Sequence, residues 1–271
     1  MQVVIFVRSK QRMKEKKFYK NIQKVLDGLP ENFSILEEQI DIEVQMKYFD
    51  FARKLRTAGR ASDCFEHRDE LFLDNISFER KREILVIIAA IDDVKAFRTI
   101  ERFVKESSGE IYQWAVLAMQ ESRMLLQSSL LDEQQVFIST GLGGKGQKLR
   151  YYVVFINKKP DGMLNRTQQK LLKDELLTEL KSNDGEFETI DFTEGFSTAL
   201  VMLPLQTDLK NVFRNIIEEC NQYGDFLNDD MILTNVKMLS RSEITEMLQS
   251  GQVSDFEDAE EWNEMDDDDE D

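Results

Sequence analysis

The chain has 271 residues, a net charge of −17, 41% hydrophobic and 32% charged residues. That balance excludes fibrous, low-complexity and membrane-embedded classes and leaves room for one large or two modest globular domains. Its two cysteines, Cys64 and Cys220, lie far apart and imply no disulfide framework, which fits a reducing compartment. The apolar opening Met1–Val7 is too short to span a membrane, and Lys/Arg-rich sequence follows it where a signal peptide would have its hydrophobic stretch and cleavage site. A cytoplasmic protein without a membrane partner is therefore expected.

The charge is unevenly laid out. Residues 254–271 hold twelve acids and no base, which leaves −5 for residues 1–253. Residues 8–24 hold eight bases against Glu15, a local +7.

In chain order, Met1–Arg12 adds little pattern. Phe18, Ile22, Val25 and Leu26 predict a helix over Lys14–Leu26, stopped by Gly28–Leu29–Pro30. A second helix is predicted from about Ile35 to Leu55, ended by Gly59. The apolar run Ile84–Ile91 fits a buried strand or a buried helix, and its neighbours favour helix. Ala96, Phe97, Ile100, Phe103 and Val104 make the next helical stripe. After the Ser107–Ser108–Gly109 break, Ile111, Trp114, Ala115, Ala118 and Leu125 make another, with Ser108 as candidate N-cap.

The stretch from Lys81 to Leu125, with its paired stripes, Asp92–Asp93 turn and Trp114–Ala115–Ala118 helix, resembles a HEAT-type helical repeat over about residues 80–127. The resemblance implies a protein-binding surface rather than chemistry. One clear unit and a weaker one before it fall short of the three or more repeats that make a stable array, and an ordinary helical bundle reads equally well.

After Leu131 the period changes from three-and-four to two. Val136–Ile138 is strand-like, Gly141–Gly146 is a glycine-rich link, and Leu149–Ile156 is a strong strand. A leucine helix over 164–180 and a turn at Asn183–Asp184–Gly185 follow. Strands Phe187–Phe192 and Thr198–Leu203 then flank Glu194–Gly195. A helix over 209–220, a closing strand over Ile232–Met238 and a short helix at Ser242–Leu248 complete the series. Within it, the order βαββαβ resembles the split motif of ferredoxin-like sheets, a fold that hosts many activities and names none. Tyr151, Val153 and Phe155 alternate with Tyr152, Val154 and Ile156, so both faces of that strand are apolar, and it is expected to be central and covered on both sides.

Candidate chemistry is sparse. Gly141, Gly143 and Gly146 match G-x-G-x-x-G, but a strand follows where a dinucleotide site needs a helix, and the Gly-Lys-Ser/Thr ending of a P-loop is missing. Two readings stay open. In one, the glycines supply positive φ in a hairpin loop. In the other, Gly141, Gly143, Gly144, Lys145, Gly146, Lys148 and Arg150 grip a phosphate or an acidic ligand. Lys148–Phe155 partly echoes an RNA-recognition signature but has Leu149 and Arg150 where that signature needs glycine and an aromatic. Cys64 and the one histidine, His67, supply two groups where zinc wants three or four. Asn228–Asp229–Asp230 lacks the glycine and glutamate of a calcium loop and reads as a turn. No catalytic residue, metal ligand or cofactor site is assigned.

Residues 254–271 repel one another and offer little apolar surface, so they are expected to be disordered, with Phe256, Trp262 and Met265 as anchors for a partner with a basic surface. The expectation is thus an α+β chain: a HEAT-like helical domain over 1–131, a ferredoxin-like α+β domain over 132–250 and an acidic tail over 251–271. Its expected work is non-enzymatic protein interaction as an adaptor. The alternative is a nucleic-acid or nucleotide-binding regulator acting through Gly141–Lys148, with the tail competing for that site.

Overall fold

In a computed structural model, residues 4–7, 33–57, 65–131 and 136–250 are described. The expected helix at Lys14–Leu26, Cys64 and the acidic tail lie outside them. The elements are β1 (Val4–Val7), β2 (Phe33–Ile35), α1 (Ile42–Thr57), a 3-10 turn (Arg68–Phe72), α2 (Phe78–Ala89), α3 (Val94–Glu106), α4 (Gly109–Leu131), β3 (Val136–Ile138), β4 (Gly144–Lys145), β5 (Lys148–Asn157), α5 (Arg166–Ser182), β6 (Glu186–Phe192), β7 (Phe196–Pro204), α6 (Leu209–Gln222), β8 (Leu227–Thr234) and α7 (Arg241–Ser250). The chain is α+β and divides into two compact units, Met1–Lys237 and Met238–Asp271. In the second, Ser240 and Glu243 start α7 by exchanging bonds: the Glu243 amide donates to Ser240 Oγ at 3.3 Å and the Ser240 amide to Glu243 Oε2 at 2.8 Å.

The helical half of the first unit is built on α2. Residues Ile84 to Ala89 are all buried, so this second half of the helix is surrounded and carries no polar face. That is why its periodicity resembles a strand's. Ser77 Oγ accepts from the Arg80 amide to start α2, and Asp93 caps α3 through the Lys95 amide. The inner stripe of α3 is Ala96, Ile100 and Phe103. These helices and α4 pack on one another and on α1 around Trp114, Tyr48 and Leu85. The Arg82 guanidinium sits 3.8 Å from the centre of the Trp114 ring, with Phe51 and Phe78 rings at 4.9 and 5.5 Å. A cation so desolvated gains about 2 kcal/mol from aromatic faces.

The predicted helix over 35–55 is corrected at its start. Phe33–Ile35 is a strand, and the helix begins at Ile42, where Asp41 Oδ1 accepts from the Glu43 amide at 2.8 Å. Apolar Ile35, Leu36 and Ile40 mimic helical spacing without belonging to it.

The sheet order is β1-β8-β5-β7-β6, and every pairing on that path is antiparallel. Strands β5, β6, β7 and β8, joined through α5 and α6, form the expected βαββαβ motif with its fourth, first, third and second strands side by side. Tyr151, Val153 and Phe155 share a core with Leu172 and Leu176 of α5 and Phe213 and Ile216 of α6. On the opposite face Tyr152, Val154 and Ile156 are buried as well. Both sides of β5 are thus shielded, as its double apolar alternation requires.

Three features of the strands go beyond or differ from expectation. Val4–Val7, which shows no usable pattern, is an edge strand in register with Met231–Thr234. Strand β3, at the expected Val136–Ile138, pairs in parallel with β2 in a sheet of its own. The last strand runs Leu227–Thr234 rather than Ile232–Met238. Asn228–Asp229–Asp230 sits inside it, where the register against β5 slips between Phe155 and Asn157.

The β2–β3 ladder is the joint between the two cores. Phe33, Ile35 and Ile138 belong with the sheet core, while Phe137 and Leu36 belong with the helical core. The next residues bind everything nearby. The Leu36 amide donates to Ile138 O, Gly144 N to Leu36 O, Leu142 N to Asn235 O, and Arg150 N to Gly143 O, all at 2.9–3.0 Å. Gln45, buried on α1, donates through Nε2 to Ile40 O and Thr140 O and accepts through Oε1 from Ser139 Oγ.

Glycine is required where these backbones meet. A Cβ at Gly141 would overlap Val236 O, and one at Gly143 would lie 2.7 Å from the carbonyl oxygens of both Glu37 and Glu38. Gly143 also has φ +66°, whereas Gly146, with φ +59°, has open space around it. Gly143→Ala should therefore cost about 3 kcal/mol, combining left-handed strain with overpacking. Gly146→Ala should cost only about 1 kcal/mol. Urea unfolding of the full chain checks this; equal losses at the two sites would contradict the close-approach account.

Candidate functional site

The segment Gly141–Arg150 holds the predicted ligand-gripping residues, and the structure sorts them by what they touch. Gly141, Leu142, Gly143 and Gly144 are buried. The amides of Leu142, Gly143 and Gly144 donate to Asn235 O, Thr140 O and Leu36 O. Lys145 and Lys148 pair across a two-residue hairpin whose tip, Gly146–Gln147, is exposed along with Lys145. Gly at the first loop position with positive φ is the residue that a type II′ hairpin demands.

Lys148 and Arg150 reach across β7 to the edge strand β6. Lys148 Nζ lies 3.1 Å from Glu186 and 3.3 Å from Asp184. The hydrogen bond to Glu186, opposed by partial burial and reinforced by Asp184, holds the Lys148 ammonium above the usual lysine pKa. Arg150 binds Glu188 in a fork, Nε to Oε2 at 2.7 Å and Nη2 to Oε1 at 2.9 Å, and gives Nη1 to Leu142 O at 2.6 Å. These two cations are thereby committed to the fold's own carboxylates and to the glycine segment.

The other sequence candidates are dispersed. His67, 55% exposed, lies 2.9 Å from Glu70 Oε1. Within the β8 irregularity Asn228 Oδ1 accepts from the Asp230 amide at 3.1 Å. Among the described residues no group of three or more His, Cys, Asp or Glu side chains is placed to hold a metal ion. Cys220 is buried in the sheet core, where loss of solvent pushes its thiol up to about 12, with Glu175 and Glu219 adding to the effect. Tyr152 and Phe155, the aromatics that echo an RNA-binding signature, are buried; burial raises the Tyr152 phenol pKa, with a bond to Thr198 opposing the rise.

A different surface stands out on α1. Once the helix starts at Ile42, Val44, Tyr48, Ala52 and Leu55 form its inward stripe. Tyr48, fully buried, donates to Glu121 Oε2 of α4 at 2.7 Å, and Arg56 bonds the other oxygen of Glu121. Burial, then the Glu121 charge, raises the Tyr48 phenol well above its ordinary pKa, so it acts as a fixed donor. With α1 pinned this way, Met46 and Phe49 face outward and are 56% and 43% exposed. The Phe49 ring is braced by Tyr48 (5.4 Å, edge-on) and Phe137 (6.3 Å). Arg53, one turn further on, has a side chain 60% exposed and 3.2 Å from Asp50. Sequence reading passed over Met46 and Phe49 because a helix starting at Ile35 draws attention to its inner stripe. Their i, i+3 spacing opposite Val44 and Tyr48 was the available signal.

No helix among the described residues is long and apolar enough to cross a membrane. No protein-family model and no curated protein matches the chain. Among solved structures, a putative transposase from Deinococcus radiodurans R1 is similar at 15% identity and a TM-score of 0.34, over 40% of this chain and 93% of that one.

Two outcomes test the site's geometry. Arg150→Ala should destabilise the chain by about 2 kcal/mol, because it strands the Glu188 carboxylate and Leu142 O, whereas Lys145→Ala should change stability by less than about 0.5 kcal/mol. Urea midpoints compare the two. Iodoacetamide at pH 8 should leave the Cys220 peptide unmodified in the native chain and label it after denaturation; peptide mass mapping reads this, and rapid native labelling would refute the inert-thiol account.

Proposed function

We propose that this chain is a non-enzymatic cytoplasmic interaction protein that engages its partner through the outer face of α1. The observation that carries the reading is the exposed Met46–Phe49 pair, braced by Tyr48 and Phe137 and followed by Arg53. Aromatic, methionine and arginine side chains are the types enriched in protein interfaces. A ring already held by two neighbours loses little freedom on binding. The ferredoxin-like sheet, shielded on both faces of β5, supports this as a rigid platform with the helical half locked to it through β2–β3. Residues 254–271, twelve acids interleaved with Phe256, Trp262 and Met265, supply a second contact for a basic surface on the partner.

The test is affinity recovery from native lysate with quantitative mass spectrometry, comparing wild type with the double variant Met46→Ala, Phe49→Ala. Both side chains are about half exposed, so the variant should lose no more than about 1–2 kcal/mol of stability by urea unfolding and stay folded. A reproducible set of proteins should be recovered by wild type and fall about tenfold or more with the variant, the scale of losing an aromatic anchor. Recovery of the same set by both forms would remove the basis for assigning the interaction to α1.

A further inference from the structure

The charges beside Met46 and Phe49 are balanced, and their order along the helix points to the occupant of this face. We infer that α1 packs antiparallel on α1 of a second copy of this chain, about a two-fold axis. This rests on reading α1 as the interaction face and adds what sits on it.

At about 100° of turn per residue, two ridges flank the line of α1 directly opposite buried Tyr48. Glu43, Lys47, Asp50 and Lys54 form one ridge, spaced four, three and four residues apart. Met46, Phe49 and Arg53 form the other, spaced three and four apart. The side chains of Glu43, Lys47 and Asp50 are about half or more exposed, and Lys54 is exposed as well.

The first ridge alternates acid, base, acid, base and sums to zero. Read backwards it is base, acid, base, acid. Laid antiparallel on itself, it sets Glu43 against Lys54 of the second copy and Lys47 against Asp50 of the second copy. Each contact occurs twice, because a two-fold interface repeats every contact. Laid parallel in register, the ridge sets like charge on like. The second ridge agrees with the antiparallel arrangement. Met46 then meets Phe49 of the second copy, and the centre of that pair lies one residue, about 1.5 Å along the axis, from the centre of the charged ridge. Met46 adapts its shape, and Phe49 presents a ring braced by Tyr48 and Phe137. The ion pairs within one copy do not oppose this. Lys47 lies 3.8 Å from Glu43 and Arg53 3.2 Å from Asp50. Exposed pairs of this kind are weak and share their charges with a new neighbour readily.

Other occupants leave part of the face unmatched. An acidic segment meets Glu43 and Asp50, and a basic one meets Lys47 and Lys54. Phosphates of a nucleic acid leave Met46 and Phe49 in water. A second copy matches the apolar pair and all four charges of the first ridge together. One helix face from each copy is a small contact, below about 1,200 Å², so a dissociation constant on the order of 10 µM is expected.

The test is sedimentation velocity of the full-length chain over about 1 to 100 µM, in about 0.15 M salt, where repulsion beyond about 8 Å is screened. Wild type should pass reversibly from monomer to dimer. The variant Met46→Ala, Phe49→Ala should raise the dissociation constant about tenfold or more. Asp50→Lys sets two bases opposite each other and should raise it about fivefold. Adding Lys47→Asp to that change restores an acid opposite a base, and association should return to within about twofold of wild type. The rescue belongs to the antiparallel arrangement, since a parallel one in register never brings these two positions together. Urea unfolding checks that each variant is folded.

A wild type that stays monomeric at the top concentration would overturn the inference. So would a dimer indifferent to the Met46→Ala, Phe49→Ala change, which would put self-association elsewhere, or a charge swap that fails to restore it. If the chain is monomeric while lysate recovery still depends on Met46 and Phe49, the interaction face stands and its occupant is a different protein. If recovery does not depend on them either, both readings fall.

Discussion

The close backbone approach at Gly141–Gly144 is the constraint from which the rest of the first unit follows. Four chain segments converge there: the turn after β2, the connection out of β3, the start of β5 and the residues just after β8. A side chain at Gly141 or Gly143 would collide with main-chain carbonyls, which cannot swing aside as a flexible side chain can. Because the backbones touch, their amides and carbonyls pair with one another, and a buried irregular segment avoids unsatisfied polar groups. The hydrogen-bonding side chains of Gln45, Ser139 and Arg150 complete that accounting from three directions.

This joint explains why a helical assembly and a split βαβ sheet behave as one compact unit with two hydrophobic interiors. The β2–β3 ladder gives alternate side chains to opposite cores, the way any strand divides its residues between two faces. With α1 pinned at one end by Gln45 and along its length by Tyr48 and Arg56, its outer surface is held in place while Met46 and Phe49 stay about half exposed. Rigidity and exposure coexist on that helix because different residues of it serve each purpose.

Elements that repeat their pattern over ten or more residues were legible in the sequence. Leu172, Leu176 and Leu180 announced α5, and Val212, Phe213, Ile216 and Ile217 announced α6. Asp184 and Gly195, both with positive φ in the structure, sit in turns read from Asn183–Asp184–Gly185 and Glu194–Gly195. The strands of three or four residues were harder. β1 and β2 are too short for a period, and their partners lie about a hundred or more positions away, so no local window contains the information. The role of the glycines was hidden for the same reason. A G-x-G-x-x-G string says that backbone must come close to something, and only the folded chain shows that Gly141 and Gly143 lie against the backbone of Val236, Glu37 and Glu38. Asn228–Asp229–Asp230 misled in the opposite direction, because a strand that slips register keeps turn-forming residues inside it.

The pairing of β1 with β8 has a temporal side. Val4 meets Thr234, so the first of the described strands to leave the ribosome waits for the last of them. At translation speeds of about 5–20 residues per second, that wait is roughly ten to fifty seconds. Throughout it, a Val-Ile-Phe-Val segment remains without its native neighbour, and the β8 edge of the sheet has yet to exist. Newly made copies crowded on one messenger would be the natural hazard for such a sticky leading segment, and the densely basic stretch that follows it, by electrostatic repulsion between nascent chains, would help keep them apart.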